Sequence, residues 1–373
     1  MTPMTDSSNP TSDKKYEICV VGGGPAGLEA AIVAKELGAH VVIVDDNPIL
    51  GGQLIKQTHK FFGSKLHYCG VRGIDIATIL SDRITELGVE IINNATVVGY
   101  YDNDTIGILR EDDFSPLKAE RYVFATGASE NMLAFENADL PGVYGAGAVQ
   151  TMMNVYGVVP GKRALVVGSG NIGLIVPYQL LQAGVEVAAI VEIMSKVGGY
   201  YVHAAKIKRA GVPIYLKHTI IEAQGKESVE RAVISEVADD YTCLLGTEKT
   251  IECDTVLIAI GLSPLCDLLY HAGCRIDYIP ELGGHVPYHD KNMLTTKANI
   301  FVCGDLACIE EASTAMLEGR IAGARAFESI HGKKGKAEDI AKEAQRELEI
   351  IRTSPFEERI VYGKTKLTAL TKS

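Results

Sequence analysis

One local pattern occurs twice in this chain, and it limits the fold more than any other feature. Near the amino terminus an apolar run, Glu17 to Val21, leads into Gly22-Gly23-Gly24-Pro25-Ala26-Gly27. A helical pattern follows from Leu28 to Leu37 and stops at Gly38, and Val41 to Val44 then reads as a second strand ending at Asp45-Asp46. The pattern returns at Lys162: a strand over Ala164 to Val167, the turn Gly168-Ser169-Gly170-Asn171-Ile172-Gly173, a helix over Leu174 to Gln182 with Gly184 after it, and a strand over Glu186 to Val191 ending at Glu192. Strands this uniformly apolar suit a parallel sheet covered on both faces, so the chain is expected to be α/β with two nucleotide-binding folds.

The glycine spacing carries the chemistry. In the first copy Gly22 allows the tight turn, Gly24 lets a pyrophosphate approach the backbone, and Gly27 lets the helix pack against its strand. The free N–H groups and the positive end of the helix dipole then meet the phosphate charge. Asp45, at the strand end, is placed to accept hydrogen bonds from a ribose. The second copy repeats this at Gly168, Gly170 and Gly173 with Glu192 as the acid. An acid there favours the free 2′-hydroxyl of NAD over the 2′-phosphate of NADP, and no arginine pair follows it; only Lys196 is close.

Composition narrows the remaining classes. The 373 residues suffice for two or three domains, and 47% are hydrophobic, so large cores are expected. The formal net charge of −11 argues against sequence-independent nucleic-acid binding. No apolar run reaches the roughly 20 residues of a membrane span. The first fifteen residues, rich in Ser, Thr, Asp and Lys, lack the apolar stretch of a secretory signal. They read as a disordered tail over 1–14, and the expected location is the cytoplasm. The eight cysteines form no C-x-x-C pair and no iron–sulfur pattern, and several, such as Cys19 and Cys303, sit in apolar runs as buried thiols would. No metal site is expected.

Further elements read as a helix over Ile74 to Leu87, strands near Glu90 to Ile92, Thr105 to Leu109 and Tyr122 to Ala125, and a linker at Leu140-Pro141-Gly142-Val143. Beyond Val256 to Ile260, a strand at Asn299 to Val302 precedes a long helix over Ser313 to Ile330. A charged amphipathic helix follows over Lys336 to Ile351, and then an irregular tail from Ser354.

Several of these segments resemble a known superfamily. Ala125-Thr126-Gly127 is similar to the post-strand turn of glutathione-reductase-like and thioredoxin-reductase-like flavoproteins. Val256 to Gly261 resembles the turn closing their second domain. Phe301-Val302-Cys303-Gly304-Asp305 resembles their second FAD fingerprint, and Gly51-Gly52-Gln53-Leu54 the segment under the flavin. The resemblance implies two Rossmann-like dinucleotide-binding domains, with an NAD domain (141–262) inserted in a split FAD domain (15–140 and 263–332) and a C-terminal helix and tail over 333–373. It implies that Asp305 holds the ribityl chain and the flavin-side phosphate. It also implies that Ala312, Ser313 and Thr314 present backbone N–H groups to the flavin pyrimidine. The expected FAD set is Gly22, Gly24, Pro25, Ala26, Gly27, Asp45, Asp46, Gly52, Gln53, Val97, Ala125, Thr126, Gly127, Gly304, Asp305 and residues 312–314. The expected NAD set is Gly168, Gly170, Asn171, Ile172, Gly173, Glu192 and Gly261.

A finer resemblance rests on Thr126-Gly127-Ala128-Ser129-Glu130, Leu140-Pro141-Gly142-Val143, Gly157 to Arg163 and Ile309 to Met316. These are similar to the alpha subunits of heteromeric sarcosine oxidase, of dye-linked proline, hydroxyproline and opine dehydrogenases, and of hydrogen cyanide synthase. That implies FAD and NAD on this chain and an amine-oxidising flavin on a partner subunit. The sequence departs from many members in lacking a cysteine-rich [2Fe–2S] segment and the folate-binding half of sarcosine oxidase, so an iron–sulfur relay would sit on a partner.

Hydride transfer between nicotinamide and flavin needs little from protein acids and bases. Lys56 and His59 are the candidate catalytic residues, because a cation near the flavin would stabilise negative charge on a reduced ring. Tyr200 and Tyr201 either cover a cofactor face or pack inside. Glu310 and Glu311 are expected to act on a helix dipole only. Met152 and Met153 read as core. Three functions fit: an electron-transferring subunit of an amine or amino-acid dehydrogenase complex, a stand-alone NADH-dependent flavin reductase for a small protein or quinone-like acceptor, and a non-catalytic assembly subunit. The missing cysteine pair disfavours a thioredoxin or glutathione reductase.

Overall fold

The computed structural model describes residues 15–61, 65–332, 335–354 and 357–369; the tail expected over 1–14 lies outside them. The chain forms two compact units, one of residues 1–129 and 263–373, the other of residues 130–262.

The first unit opens with β1 (Tyr16–Val21), α1 (Pro25–Glu36) and β2 (Val41–Val44). Then come α2 (Gly73–Glu86), β3 (Glu90–Ile92), β4 (Thr96–Tyr101), β5 (Thr105–Arg110) and β6 (Asp113–Phe124). Strands β3, β2, β1 and the carboxyl half of β6 run parallel in that order. The amino half of β6 instead pairs antiparallel with β5, and β5 with β4. Every residue of β2 is buried, as its uniform apolar run predicts for a strand covered on both faces.

The second unit carries β7 (Val143–Gly145), α3 (Ala146–Asn154), β8 (Arg163–Val167), α4 (Asn171–Gln182), β9 (Glu186–Glu192), α5 (Tyr201–Arg209) and β10 (Ile214–Leu216). An antiparallel layer of β11 (His218–Gln224), β12 (Arg231–Glu236) and β13 (Lys249–Glu252) follows, and β14 (Thr255–Ile258) returns to the parallel sheet. The parallel order is β10-β9-β8-β14-β7. This unit starts at Glu130, whereas the expected NAD domain starts at 141. The reason is apolar: Leu133, Phe135 and Leu140 pack on the core between the two sheets of this unit, so the segment read as a linker is part of the unit. Val143 is likewise a sheet residue and not linker. Met152 and Met153 pack on the other face, as core residues do.

Back in the first unit, β15 (Ile300–Val302) adds a parallel strand beside β6, and α6 (Ala312–His331) packs along α1. The two helices approach closely because small residues face each other. A Cβ on Gly319 would lie 2.1 Å from the Ala26 carbonyl oxygen, and one on Gly323 would lie 2.3 Å from that of Ala30. Gly323→Val should therefore destabilise the unit by about 3 kcal/mol or more, since backbone cannot yield as a side chain can. Gly335→Ala, with nothing within 4 Å of the added carbon, is the control. Denaturant midpoints of the two variants check this, and a Gly323→Val midpoint equal to wild type would exclude the close approach.

The chain then forms α7 (Gly335–Arg352) and α8 (Glu358–Ala369). The irregular tail expected from Ser354 is thus corrected: it contains a three-turn helix that buries Ile360, Gly363 and Leu367 against Leu282 and its neighbours. Among the described residues no helix is long and apolar enough to cross a membrane, and no group of acidic, histidine or cysteine side chains is placed to hold a metal ion.

Candidate functional site

The first glycine turn is built from backbone geometry. Gly22 has φ +104°, and a Cβ there would lie 2.4 Å from the Ala125 carbonyl oxygen; a Cβ on Gly27 would lie 1.9 Å from that of Gly22. These two positions fix the turn against β1 and β6. Gly24 is different: its Cβ would meet nothing nearer than Gly52 Cα at 3.9 Å. Gly24 is also the residue that begins α1, with no side chain capping the helix and Pro25 in the first turn. An uncapped helix start with an open face is what a diphosphate needs.

Asp45 is buried and already engaged. One carboxylate oxygen accepts the Gly23 N–H and the other accepts the Asn47 N–H at 2.8 Å. The acid therefore fixes the turn. Asp46 is exposed, and burial of its surroundings together with Asp45 raises its carboxyl above the ordinary value. Gly52 and Gln53 lie in a short 3-10 helix, Gly52–Lys56, anchored by the Gly51 N–H donating to the Gly23 carbonyl at 2.8 Å. Lys56 ends that helix; His59, three residues further on, stacks on Phe61 with centroids 5.9 Å apart. Val97 on β4 is half-buried against the core of the unit.

On the carboxyl side of β6, the Ala125 N–H donates to the Val21 carbonyl at 2.8 Å and Thr126 Oγ1 donates to that of Leu265 at 3.1 Å. Gly127 takes φ +73°. Gly304 sits against α1, where a Cβ would lie 2.8 Å from Ala26 Cβ. The first and second FAD-type fingerprints thus share one corner of the unit. Burial pushes the Asp305 carboxyl up to about 7; the Glu310 backbone N–H opposes this, and Glu318, Glu311 and Glu310 add to it. A carboxyl held there can donate to, as well as accept from, a phosphate or hydroxyl. Glu311 precedes α6 without a side-chain cap, Thr314 is buried with its hydroxyl on the Glu311 carbonyl, and Ala312 and Ser313 form the half-buried first turn.

The second turn repeats the first. A Cβ on Gly168 (φ +104°) would lie 2.2 Å from the Ala259 carbonyl oxygen, and one on Gly173 would lie 2.1 Å from that of Gly168. Gly170 has nothing within 4 Å. Buried Glu192 accepts the Ser169 N–H at 2.8 Å, the Ser169 hydroxyl at 2.6 Å and the Met194 N–H at 2.9 Å. Asn171 Oδ1 accepts the Tyr200 N–H at 2.9 Å, Ile172 packs on the unit's core, and Gly261 takes φ +127°. Of the two tyrosines, Tyr200 precedes α5 and is half-buried, while Tyr201 is 83% exposed. Both glycine turns therefore fit a dinucleotide in the same way: two glycines packed against backbone, one left open, and a buried carboxylate tying turn to strand.

One feature lay beyond the reach of the motifs. Glu318, in the middle of α6, is 2% exposed and ionically surrounded. Its Oε1 meets Arg352 at 2.7 Å and Lys364 at 3.4 Å, and its Oε2 accepts the Gly304 N–H at 3.0 Å. Arg352 also grips Glu310 with two nitrogens, at 2.9 and 2.8 Å, so Glu310 is a buried ion-pair partner, not merely a charge near a dipole. Lys364 further donates to His289 Nε2 at 3.0 Å, and His289 Nδ1 lies 2.9 Å from the Pro287 carbonyl. Burial opposes the ionised form of Glu318, but Lys364 and Arg352 outweigh it and hold the carboxyl below its ordinary value. Burial keeps His289 neutral, down at about 3. The signal in the sequence was a lone acid in the small and apolar run Ala315-Met316-Leu317-Glu318-Gly319.

All eight cysteines are free thiols: Cys19, Cys253, Cys266, Cys274, Cys303 and Cys308 are buried, and Cys69 and Cys243 are exposed.

Residues 16–319 match the family model of pyridine nucleotide-disulphide oxidoreductases. The chain belongs to this family. It is accordingly a redox enzyme of a family that binds FAD and NAD(P), on a fold of Rossmann-like units. Among its relatives, an opine oxidase subunit from Agrobacterium tumefaciens (strain Ach5) is 27% identical over 337 residues, covering 84% of this chain and 66% of that protein. The alpha subunit of sarcosine oxidase from Rhizobium meliloti (strain 1021) is 29% identical over 272 residues, covering 69% of this chain and 25% of that protein. The matches thus span less than two thirds of these relatives' length. The thioredoxin reductase of T. acidophilum superposes with a TM-score of 0.71 at 22% identity, over 86% of this chain and all of that one, and shows the shared fold.

Proposed function

We propose that this chain carries reducing equivalents between NAD(H), held at the Gly168 turn, and FAD, held at the Gly22 turn. On this reading it serves a partner flavoprotein or iron–sulfur subunit that oxidises an amine or amino acid of the sarcosine, proline or hydroxyproline type. The single observation that carries the reading is the duplicated, equally open glycine turn, each with its own buried acid. The names of the relatives, subunits of opine and sarcosine oxidases, supply the direction in which to look for the partner.

The flavin, when bound, supplies the hydride chemistry. The chain's own part is to bind and orient. The α1 and α4 starts each offer uncapped N–H groups to a diphosphate. On the FAD side, Asp45 would accept from the adenosine ribose, Asp305 would engage the ribityl and phosphate oxygens, and the first turn of α6 would direct N–H groups at the pyrimidine. Lys56, at the end of the short helix anchored to Gly23, would offset negative charge there, with His59 beside it in sequence. On the NAD side Glu192 is fixed by three donors and would accept from a 2′-hydroxyl.

The test is anaerobic titration of the purified protein with NADH and then NADPH, following bleaching of the oxidised-flavin band. NADH should reduce the flavin, and NADPH should need at least about tenfold higher concentration, because a 2′-phosphate would face an immobilised carboxylate. Equal response to both nucleotides would refute the NAD preference, and flavin that neither reduces would refute the electron-transfer reading. Amine-dependent NAD reduction by a co-purified complex, absent from the isolated chain, would support the partner assignment over a stand-alone reductase.

A further inference from the structure

The buried ion cluster on α6, α7 and α8 touches the expected FAD site at one atom, the Gly304 amide nitrogen. Gly304 has φ +71° and is packed on Ala26, so the turn from β15 into Asp305 uses a backbone form that favours glycine. Its N–H is buried and points away from solvent, and Glu318 Oε2 receives it at 3.0 Å. A neutral acceptor would also satisfy that N–H, though with a weaker bond. This fold instead uses a carboxylate and surrounds it with cations from two helices more than thirty residues downstream: Arg352 at the end of α7 and Lys364 in α8. Arg352 is itself held by Glu310, which lies between Asp305 and the start of α6.

We infer that Glu318 is a positioning residue for FAD: it fixes the Gly304-Asp305 turn by accepting the Gly304 N–H, and α7 and α8 supply the cations that keep it in place. The C-terminal helices are then part of the cofactor-holding machinery through Glu318. The inference rests on the assignment of Asp305 to the FAD site.

The test compares two double variants with the same charge balance, in the full-length chain. Glu318→Gln with Lys364→Met removes one anion and one cation, leaves the Glu310–Arg352 pair intact and keeps an oxygen for the Gly304 N–H. Glu318→Leu with Lys364→Met does the same without that oxygen. FAD affinity is measured by reconstituting the apoprotein, with the folded fraction determined separately by circular dichroism. The visible circular dichroism of the bound flavin reports its seating. The Gln pair should bind FAD within about threefold of wild type, and the Leu pair about tenfold or more weakly with an altered flavin signal, the scale of one hydrogen bond to a charged or polar acceptor. A purely structural role would lower the folded fraction in both and leave the affinity of the folded protein unchanged, and that result overturns the inference; so does a Gln pair as weak as the Leu pair. Asp305→Ala separates the two levels. If it loses FAD while the Leu pair binds normally, the site assignment stands and the role of Glu318 falls; if it binds FAD as wild type does, the assignment itself falls. Should the Leu pair not fold, hydrogen exchange on the wild-type apoprotein decides: the Gly304 amide should be protected before FAD is added, and exchange at the rate of an open loop would overturn the inference.

Discussion

Gly170→Val should leave the protein folded and nearly abolish its response to NADH. The expectation comes from the contrast within one turn. Gly170 adopts φ −64° and ψ −177°, an extended conformation open to any residue, and its added side chain would meet nothing within 4 Å. Valine therefore costs the fold less than about 1 kcal/mol, but it fills the space through which a diphosphate would reach the start of α4. Losing the charge-assisted bonds made there should weaken NADH binding about a hundredfold or more. Gly173→Val is the opposite case. Its side chain would lie 2.1 Å from the Gly168 carbonyl oxygen, so helix and strand must separate and the second unit should lose its fold. Thermal melting and anaerobic flavin bleaching, run on both variants, distinguish the cases. A Gly170→Val protein that NADH bleaches as readily as wild type would remove the nicotinamide nucleotide from this turn.

The same contrast explains what is legible in the sequence. Gly22, Gly27, Gly168 and Gly173 are glycine because a carbonyl oxygen occupies the place of the side chain. Such a constraint leaves no substitute and so writes itself into the sequence. The parallel strands are legible for a related reason: burial on both faces leaves runs such as Val41 to Val44 with no polar position.

The antiparallel layers are harder. Strand β4 has a register shift at Val97 to Gly99, and β11 has one at Ile220 to Glu222. Each bulge breaks the alternation by which a one-sided strand is recognised. Helix α8 escapes a sequence reading because its inward face is thin, with Ile360, Gly363 and Leu367 as its buried residues, and because Lys364 reads as a surface charge. Glu310 reads as a dipole partner for the same reason. Its true partner, Arg352, lies 42 residues away, and local spacing cannot express a pairing at that distance.

That pairing sets the second large expectation. Arg352→Met should cost the first unit about 3–5 kcal/mol, the usual penalty for removing one partner of a buried ion pair. The guanidinium serves two interior carboxylates, Glu310 at 4% and Glu318 at 2% side-chain exposure. Without it Glu310 has lost its two-nitrogen partner, and Glu318 keeps Lys364, at 3.4 Å, as its cation. The pH dependence follows from the direction of the Glu318 shift. Its folded-state value lies below the ordinary carboxyl value, so the stabilisation is fully present above the unfolded value of about 4.3. It is lost as pH falls through the lowered folded value. Removing Arg352 raises that folded value, so the acid-induced loss of stability should begin at higher pH in the variant. Denaturant unfolding at neutral pH and through the acid range measures both effects. Because the penalty comes from stranded charge and not from lost volume, adding Glu310→Gln to Arg352→Met should recover much of it, since Glu318 still has Lys364. A double variant no more stable than Arg352→Met alone would mean that packing, and not charge compensation, is what Arg352 contributes.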